Sequence, residues 1–232
     1  MRTFICAFLI AFVDSPARAQ TPPMPLPPTV VTHGEAVVTA RPDRAFVTIA
    51  AESRSKNSSE AQKLNAAAMT AVLQKIEQAG VSKDSVRTIG YDLQPEFDYA
   101  NGRQTFRTYL ARNTVEVRLD DIDRVGVVID AAGAGGATRI AGIRFDLRSR
   151  AALERDALRQ AVADARSRAE AIAAGAGATI DRIVRIEEGG AQQPPRPMMR
   201  MEALSAAGDV STPVQPSTIE IHARVTLTAS LR

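Results

Sequence analysis

Between Ser149 and Gly177, apolar side chains return at three- and four-residue steps. Leu153, Ala157, Leu158, Ala161, Val162, Ala165, Ala169, Ile172 and Ala173 fall on one face of a helix, with Arg155, Arg159, Asp164, Arg166 and Glu170 opposite. Ser149 is placed to cap its start, and Gly175 and Gly177 supply left-handed positions for its stop. The stripe is mostly alanine, which lets the helix backbone approach a flat partner closely, most simply a β-sheet. A second helical pattern runs from Ser58 to Ala79. Its stripe is Leu64, Ala68, Val72, Leu73, Ile76 and Ala79; Asn57 and Glu60 form a capping box, and Gly80 ends it.

Elsewhere the period is two. Val30 to Ala40 reads as a strand interrupted at Gly34, and Ala45 to Glu52 as another, with Arg41-Pro42-Asp43 as the turn between them. Val86 to Phe97 and Gln104 to Leu119 flank Asn101-Gly102, a dipeptide that tolerates positive φ at both positions of a tight hairpin. That turn sets Phe97 opposite Phe106 and Leu93 opposite Leu110, while Pro95 marks an edge or a bulge because it has no N–H to donate. Asp121 to Ala132 reads as a short helix, and Ala137 to Leu147 and Ile180 to Glu187 as strands. Ile219 to Leu231 alternates strictly, as a half-buried strand does. Phe46 to Ile89 and Ile143 to Ile186 each run strand, long Ala-rich helix, glycine, strand, which suggests a repeated packing unit. The expected class is α+β: a largely antiparallel sheet with two long helices and one short helix packed on it.

The first 19 residues stand outside this pattern. Met1-Arg2, an apolar run from Phe4 to Val13 and Ala17-Arg18-Ala19 before Gln20 have the order of a secretory signal peptide, and the run is too short to span a bilayer. Residues 20–29 are a Pro-rich linker, residues 30–232 the domain, and residues 189–217 a flexible loop within it. The net charge is +3, and losing Arg2, Arg18 and Asp14 with the leader leaves +2, too small a basic field to suggest nucleic acid as a partner. The single cysteine, Cys6, lies in the leader, so neither disulfides nor thiol chemistry are expected of the exported chain. No segment after the leader is long and apolar enough for a membrane helix.

Candidate chemistry is sparse. His33 and His222 read as ordinary strand histidines with no ligand cluster around them. Gly133-Ala134-Gly135-Gly136 follows a helix and precedes a strand, the reverse of a phosphate-binding order, and is read as an αβ turn. Asp120, Asp121 and Asp123 are better explained as acidic residues at a helix start than as a cation site. Met198, Met199 and Met201 invite a thioether copper site or an oxidant trap, but their Pro-rich setting favours an unspecific segment. No catalytic residue, metal or cofactor is assigned. Tyr91, Phe97, Tyr99, Phe106 and Tyr109 gather most of the few aromatics after the leader in one hairpin whose two faces are hard to bury in a single domain, and they form the candidate oligomer interface.

The strand with Gly34 and Glu35, the Arg41-Pro42-Asp43-Arg44-Ala45 turn, Thr108-Tyr109, the stretch from Gly136-Ala137 to Gly142-Ile143-Arg144-Phe145 and the helix from Ala151 to Gly175 together resemble the SIMPL-domain family of bacterial envelope proteins. That family includes periplasmic immunogenic and oxidative-stress defence proteins. The resemblance implies a periplasmic or outer-membrane-associated α+β protein, ring-like homo-oligomers in some relatives and no catalytic constellation. The expectation is a non-enzymatic, self-assembling envelope protein contributing to envelope or oxidative stress tolerance, peripheral to any membrane. The alternative is a small-ligand or lipid-binding periplasmic module with its pocket between helix and sheet, and an enzyme using scattered acidic residues stands third.

Overall fold

The computed structural model describes residues 27–189 and 212–232. The leader, most of the linker and Met198, Met199 and Met201 lie outside them. The order is β1 (Thr29–Ala40), β2 (Arg44–Ser55), α1 (Ser58–Gln78), β3 (Val86–Ala100), β4 (Arg103–Leu119), α2 (Val125–Ala134), β5 (Arg139–Asp146), α3 (Arg150–Gly175), β6 (Ile180–Glu188) and β7 (Ile219–Leu231). The class is α+β, with every strand pairing antiparallel.

The strands form two sheets rather than one. One is four-stranded, in the order β3-β4-β2-β5, and the other three-stranded, in the order β1-β7-β6. Helices α1 and α2 pack on the first, where Val47, Ile49, Val72, Ile76, Val115, Val117, Val125 and Val128 are fully or almost fully buried. Helix α3 packs on the second, over Val30, Val225, Leu227 and Ala229. A small junction of Leu147, Ala157 and Ile221 lies where β5 hands over to α3. The apparent internal repeat is therefore not one of packing. Its second copy starts in β5 of the four-stranded sheet and ends in β6 of the other, because α3 carries the chain between them.

The three-stranded layer is built on small residues. The buried positions of α3 are Ala157, Ala161, Ala165, Ala169 and Ala173, a strict four-residue series. Ile172, placed on the stripe by its spacing, is 52% exposed. Gly34 does not interrupt β1, which pairs with β7 without a register break. It is instead the point of closest approach: a Cβ there would lie 2.0 Å from the Ala161 carbonyl oxygen and 2.4 Å from the Ala165 nitrogen. Two further bonds fix the contact, from Thr32 Oγ1 to the Ala165 carbonyl at 2.9 Å and from the Glu35 N–H to Asp164 Oδ2 at 3.0 Å. The second covers part of the free edge of β1 and holds the Asp164 carboxyl below its ordinary range, with Arg168 adding to the effect.

Several local expectations need correction. Asn57 caps α1 through the Glu60 N–H, but the Asn57 N–H goes to Ser55 Oγ, so only half of the capping box forms. The buried face of α1 is Ala61, Asn65, Met69, Val72 and Ile76, rotated away from Leu64, which is 45% exposed. Ser149 occupies the N-cap of α3 without a side-chain bond. Its neighbour Asp146 serves that turn instead, accepting from the Leu147 N–H and from Arg150. The short helix begins later, after a 3-10 turn at Ile122–Arg124, and runs through Gly133. Within the 189–217 loop, Thr212 bonds Asp130 of α2 through both its N–H and its hydroxyl, and Val214 packs against the main core.

Candidate functional site

The β3–β4 hairpin outruns its sheet. β2 accompanies β4 only as far as the Ser55–Tyr109 pair, so Glu96–Ala100 and Arg103–Thr108 pair with each other alone. They form a two-stranded arm closed by Asn101 and Gly102, with φ of 51° and 74°, the positive values that a tight hairpin turn demands. Phe97 faces Phe106, as the turn requires. Beyond them Arg107 is an extra residue in β4, and the shift moves Leu93 opposite Ala111 and Gln94 opposite Leu110. The Leu93–Leu110 pair is thus absent, because a bulge at the root of the arm changes the register by one. Pro95 sits one pair below that bulge, on the edge strand.

Three of the five aromatics converge. Phe97 meets Phe106 edge-to-face, with centroids 6.1 Å apart at 79°, and Phe106 lies 5.1 Å from Tyr109. Lys56 lies 5.8 Å from the Phe106 centroid and donates to the Arg107 carbonyl, anchoring the bulge to the chain between β2 and α1. Among the described residues, Tyr91, opposite Asn113 lower in β3, and Tyr99, near the tip, join no ring pair. Phe97 and Phe106 remain 40% and 39% exposed and Tyr99 77%, large values for rings on an arm with no sheet neighbour.

The root is held by charge. Arg54 grips both oxygens of Glu96, at 2.9 and 3.2 Å, and Thr108 donates to the same carboxylate. Glu52 accepts from Arg112 at 2.7 Å and from Arg54 at 3.4 Å. The Arg54 bond holds the Glu96 carboxyl below its ordinary range, outweighing the opposite pull of burial.

The other candidates separate. Asp120 pairs with Arg44 at 2.6 Å, while Asp121 caps the 3-10 turn by accepting from the Asp123 N–H. Among the described residues no cluster of three histidine, cysteine or acidic side chains could hold a metal ion. His33 bonds Thr226 and His222 bonds Glu220, each on the exposed side of the three-stranded sheet. The glycine run forms the turn from α2 to β5, with Gly135 close against Val72 and Gly136 at φ 89°. A cleft of about 280 Å³ lies between α1 and the β3–β4 strands, lined by Leu73, Ile76, Val81, Val86 and Val115, with Glu77 and Lys83 paired at 3.4 Å. The aromatic pattern did not point to the exposed Ile183, Val184 and Ile186 of β6. Their Ile-Val-x-Ile run was visible, but nothing in the sequence says which face lacks a cover.

The match to the family "SIMPL: Protein of unknown function (DUF541)" covers residues 30–229, from the first residues of β1 to the end of β7. The chain belongs to the SIMPL family. Its relatives include the 26 kDa periplasmic immunogenic protein of Brucella abortus, 28% identical over 221 residues, 91% of this chain and 88% of that protein. The uncharacterized protein YggE of Escherichia coli K12 is 26% identical over 189 residues, 82% of this chain and 77% of that protein. No helix among the described residues is long and apolar enough to cross a membrane.

Proposed function

We propose that this chain is an exported, non-enzymatic envelope protein that self-assembles through its aromatic arm and contributes to envelope or oxidative stress tolerance. The supporting observation is the arm itself. A two-stranded ribbon is marginal in water, yet this one carries exposed rings beyond the reach of its own sheet and is braced at its root by Arg54 and Glu96. A second copy would supply the missing cover. Export to the periplasm is supported by the leader pattern and by the name of the Brucella relative, a periplasmic immunogenic protein. Light scattering on the chain from Gln20 onward tests assembly: an oligomer at micromolar concentration that falls to lower mass in Phe97→Ser/Phe106→Ser is expected, and a strictly monomeric parent would end the proposal. Survival of a deletion strain under peroxide, with and without the restored gene, tests the stress role.

A small apolar ligand in the α1 cleft is the second reading. Its apolar lining favours it, but about 280 Å³ is below the range of most small-molecule sites. Native mass spectrometry of protein taken from its own host would carry a retained mass if it holds.

A further inference from the structure

We infer that Asn101 is a site of spontaneous covalent modification, at which its side-chain amide is lost to attack by the Gly102 nitrogen and the hairpin tip becomes aspartate or β-linked isoaspartate. The reaction consumes water and nothing else. The Gly102 nitrogen bonds to Asn101 Cγ, the Cγ–Nδ2 bond breaks, and the proton of the Gly102 N–H leaves with Nδ2 as ammonia. The product is a five-membered succinimide, with Asn101 Cγ and the Asn101 main-chain carbonyl carbon on one nitrogen. Water then opens the ring at either carbonyl. Opening at Cγ leaves aspartate; opening at the main-chain carbonyl leaves isoaspartate, whose backbone runs through Cβ and Cγ.

The chain's asparagines are Asn57, Asn65, Asn101 and Asn113, and of these Asn101 alone precedes a glycine. The fold separates them further. Asn65 is fully buried within α1, where the following Ala66 N–H is held by the helix. Asn113 lies inside β4, paired with Ala51 of β2 and Tyr91 of β3, and β-branched Thr114 follows it. Asn57 accepts from the Glu60 N–H as the N-cap of α1 and precedes Ser58. Asn101 and Gly102 are both exposed at the tip of the arm. Gly102 has open space around the place a Cβ would take, so nothing shields its nitrogen. The turn itself opposes the reaction, because the ring fixes the Cα–C torsion of Asn101 differently from a tight turn with two positive φ values. The tip must therefore open first. Opening costs little in a two-stranded ribbon that has left its sheet neighbour behind at the Ser55–Tyr109 pair. Isoaspartate then lengthens the backbone of a two-residue turn by an atom, and the register that sets Phe97 opposite Phe106 no longer closes. On the self-assembly reading this ages the docking surface irreversibly, whereas the chemistry stands without that reading.

Peptide mass spectrometry with fragmentation that distinguishes isoaspartate from aspartate tests this on the chain from Gln20 onward, held at mildly alkaline pH beside a synthetic peptide of residues 96–107. Asn101 should convert roughly tenfold or more faster than Asn57, Asn65 or Asn113, because glycine leaves the attacking nitrogen unshielded. It should convert more slowly than in the peptide, by the fraction of time the tip spends open. Phe97→Ser/Phe106→Ser should bring the rate toward that of the peptide by loosening the arm. Gly102→Ala should suppress conversion, although alanine is strained at φ 74° and loosens the turn as well. An Asn101 that survives while the peptide converts fully overturns the inference, and so does another asparagine converting as fast. A rate that Phe97→Ser/Phe106→Ser leaves unmoved overturns the opening step. A parent that is monomeric yet converts at Asn101 supports this inference and overturns the self-assembly proposal alone.

Discussion

Gly34 is where a single hydrogen in place of a methyl group decides how closely two layers approach. The positions 2.0 and 2.4 Å from its absent Cβ are backbone atoms of α3, which cannot rotate away as a side chain would. Gly34→Ala should therefore destabilise the fold by about 2 kcal/mol or more, at the upper part of the overpacking range. Gly133→Ala is the useful contrast: the glycine lies inside α2, has no positive φ and faces open space, so alanine should add about 0.4–1 kcal/mol. Urea denaturation of both variants checks the pair, and equal effects would remove the close approach as the cause. Asn65 is the other decisive residue. Fully buried on α1, it donates to the Ala51 and Ala111 carbonyls at 2.7 and 3.1 Å and so bonds the helix to both central strands. Asn65→Ala should cost about 2–3 kcal/mol, since both carbonyls lose a partner in a dry site.

Capping separates the two long helices at the scale of elements. Asn57 makes its bond to the Glu60 N–H, so Asn57→Ala should cost about 1 kcal/mol, while Ser149→Ala should stay within about 0.5 kcal/mol because Ser149 makes none. Thermal melts of the two would contradict these cap assignments if Ser149 proved the costlier. Among the described residues, the period of apolar positions placed the three helices and the seven strands, and Asn101-Gly102 fixed the Phe97–Phe106 pair, because these depend on local period and local turn geometry. What period could not show is where one element meets another. Asn65 reads as a polar interruption of a helix face until two strand carbonyls are seen beneath it. Gly34 reads as a break until α3 is laid on it. The Arg107 bulge that undoes the Leu93–Leu110 pair leaves no trace in hydrophobic alternation. The aromatic candidates were legible as a cluster in the chain, yet Tyr91 and Tyr99 join no ring pair, since strand register rather than composition sets which rings touch.

Across the whole molecule, the division into two sheets makes the crossings between them sites of leverage, and two crossings meet at Asp146. The Asp43 N–H donates to the Asp146 carbonyl, Asp43 Oδ1 accepts from the Arg148 N–H, and the Asp146 carboxylate accepts from Leu147 N–H, Arg150 and Arg144. Burial pushes the Asp146 carboxyl up, but the Leu147 N–H and the two arginines outweigh it, so it lies below its ordinary range. Glu96 and Asp164 are lowered too, at the arm root and at the β1 edge. A folded-state value below the unfolded one means that the unfolded chain binds protons first as pH falls. The stabilisation is complete above the ordinary carboxylate range and is lost on descending through the lower, folded values. The thermal midpoint should thus hold from pH 7 to about 5 and fall steeply below about pH 4, the ordinary range of these groups. Asp146→Asn should lower the midpoint at pH 7 and flatten the acid limb, because one of the groups that drives it no longer titrates. Melts of the parent and this variant at matched ionic strength check the sign: parallel curves would place the acid sensitivity elsewhere, while converging curves below about pH 4 would assign part of it to the junction between the sheets.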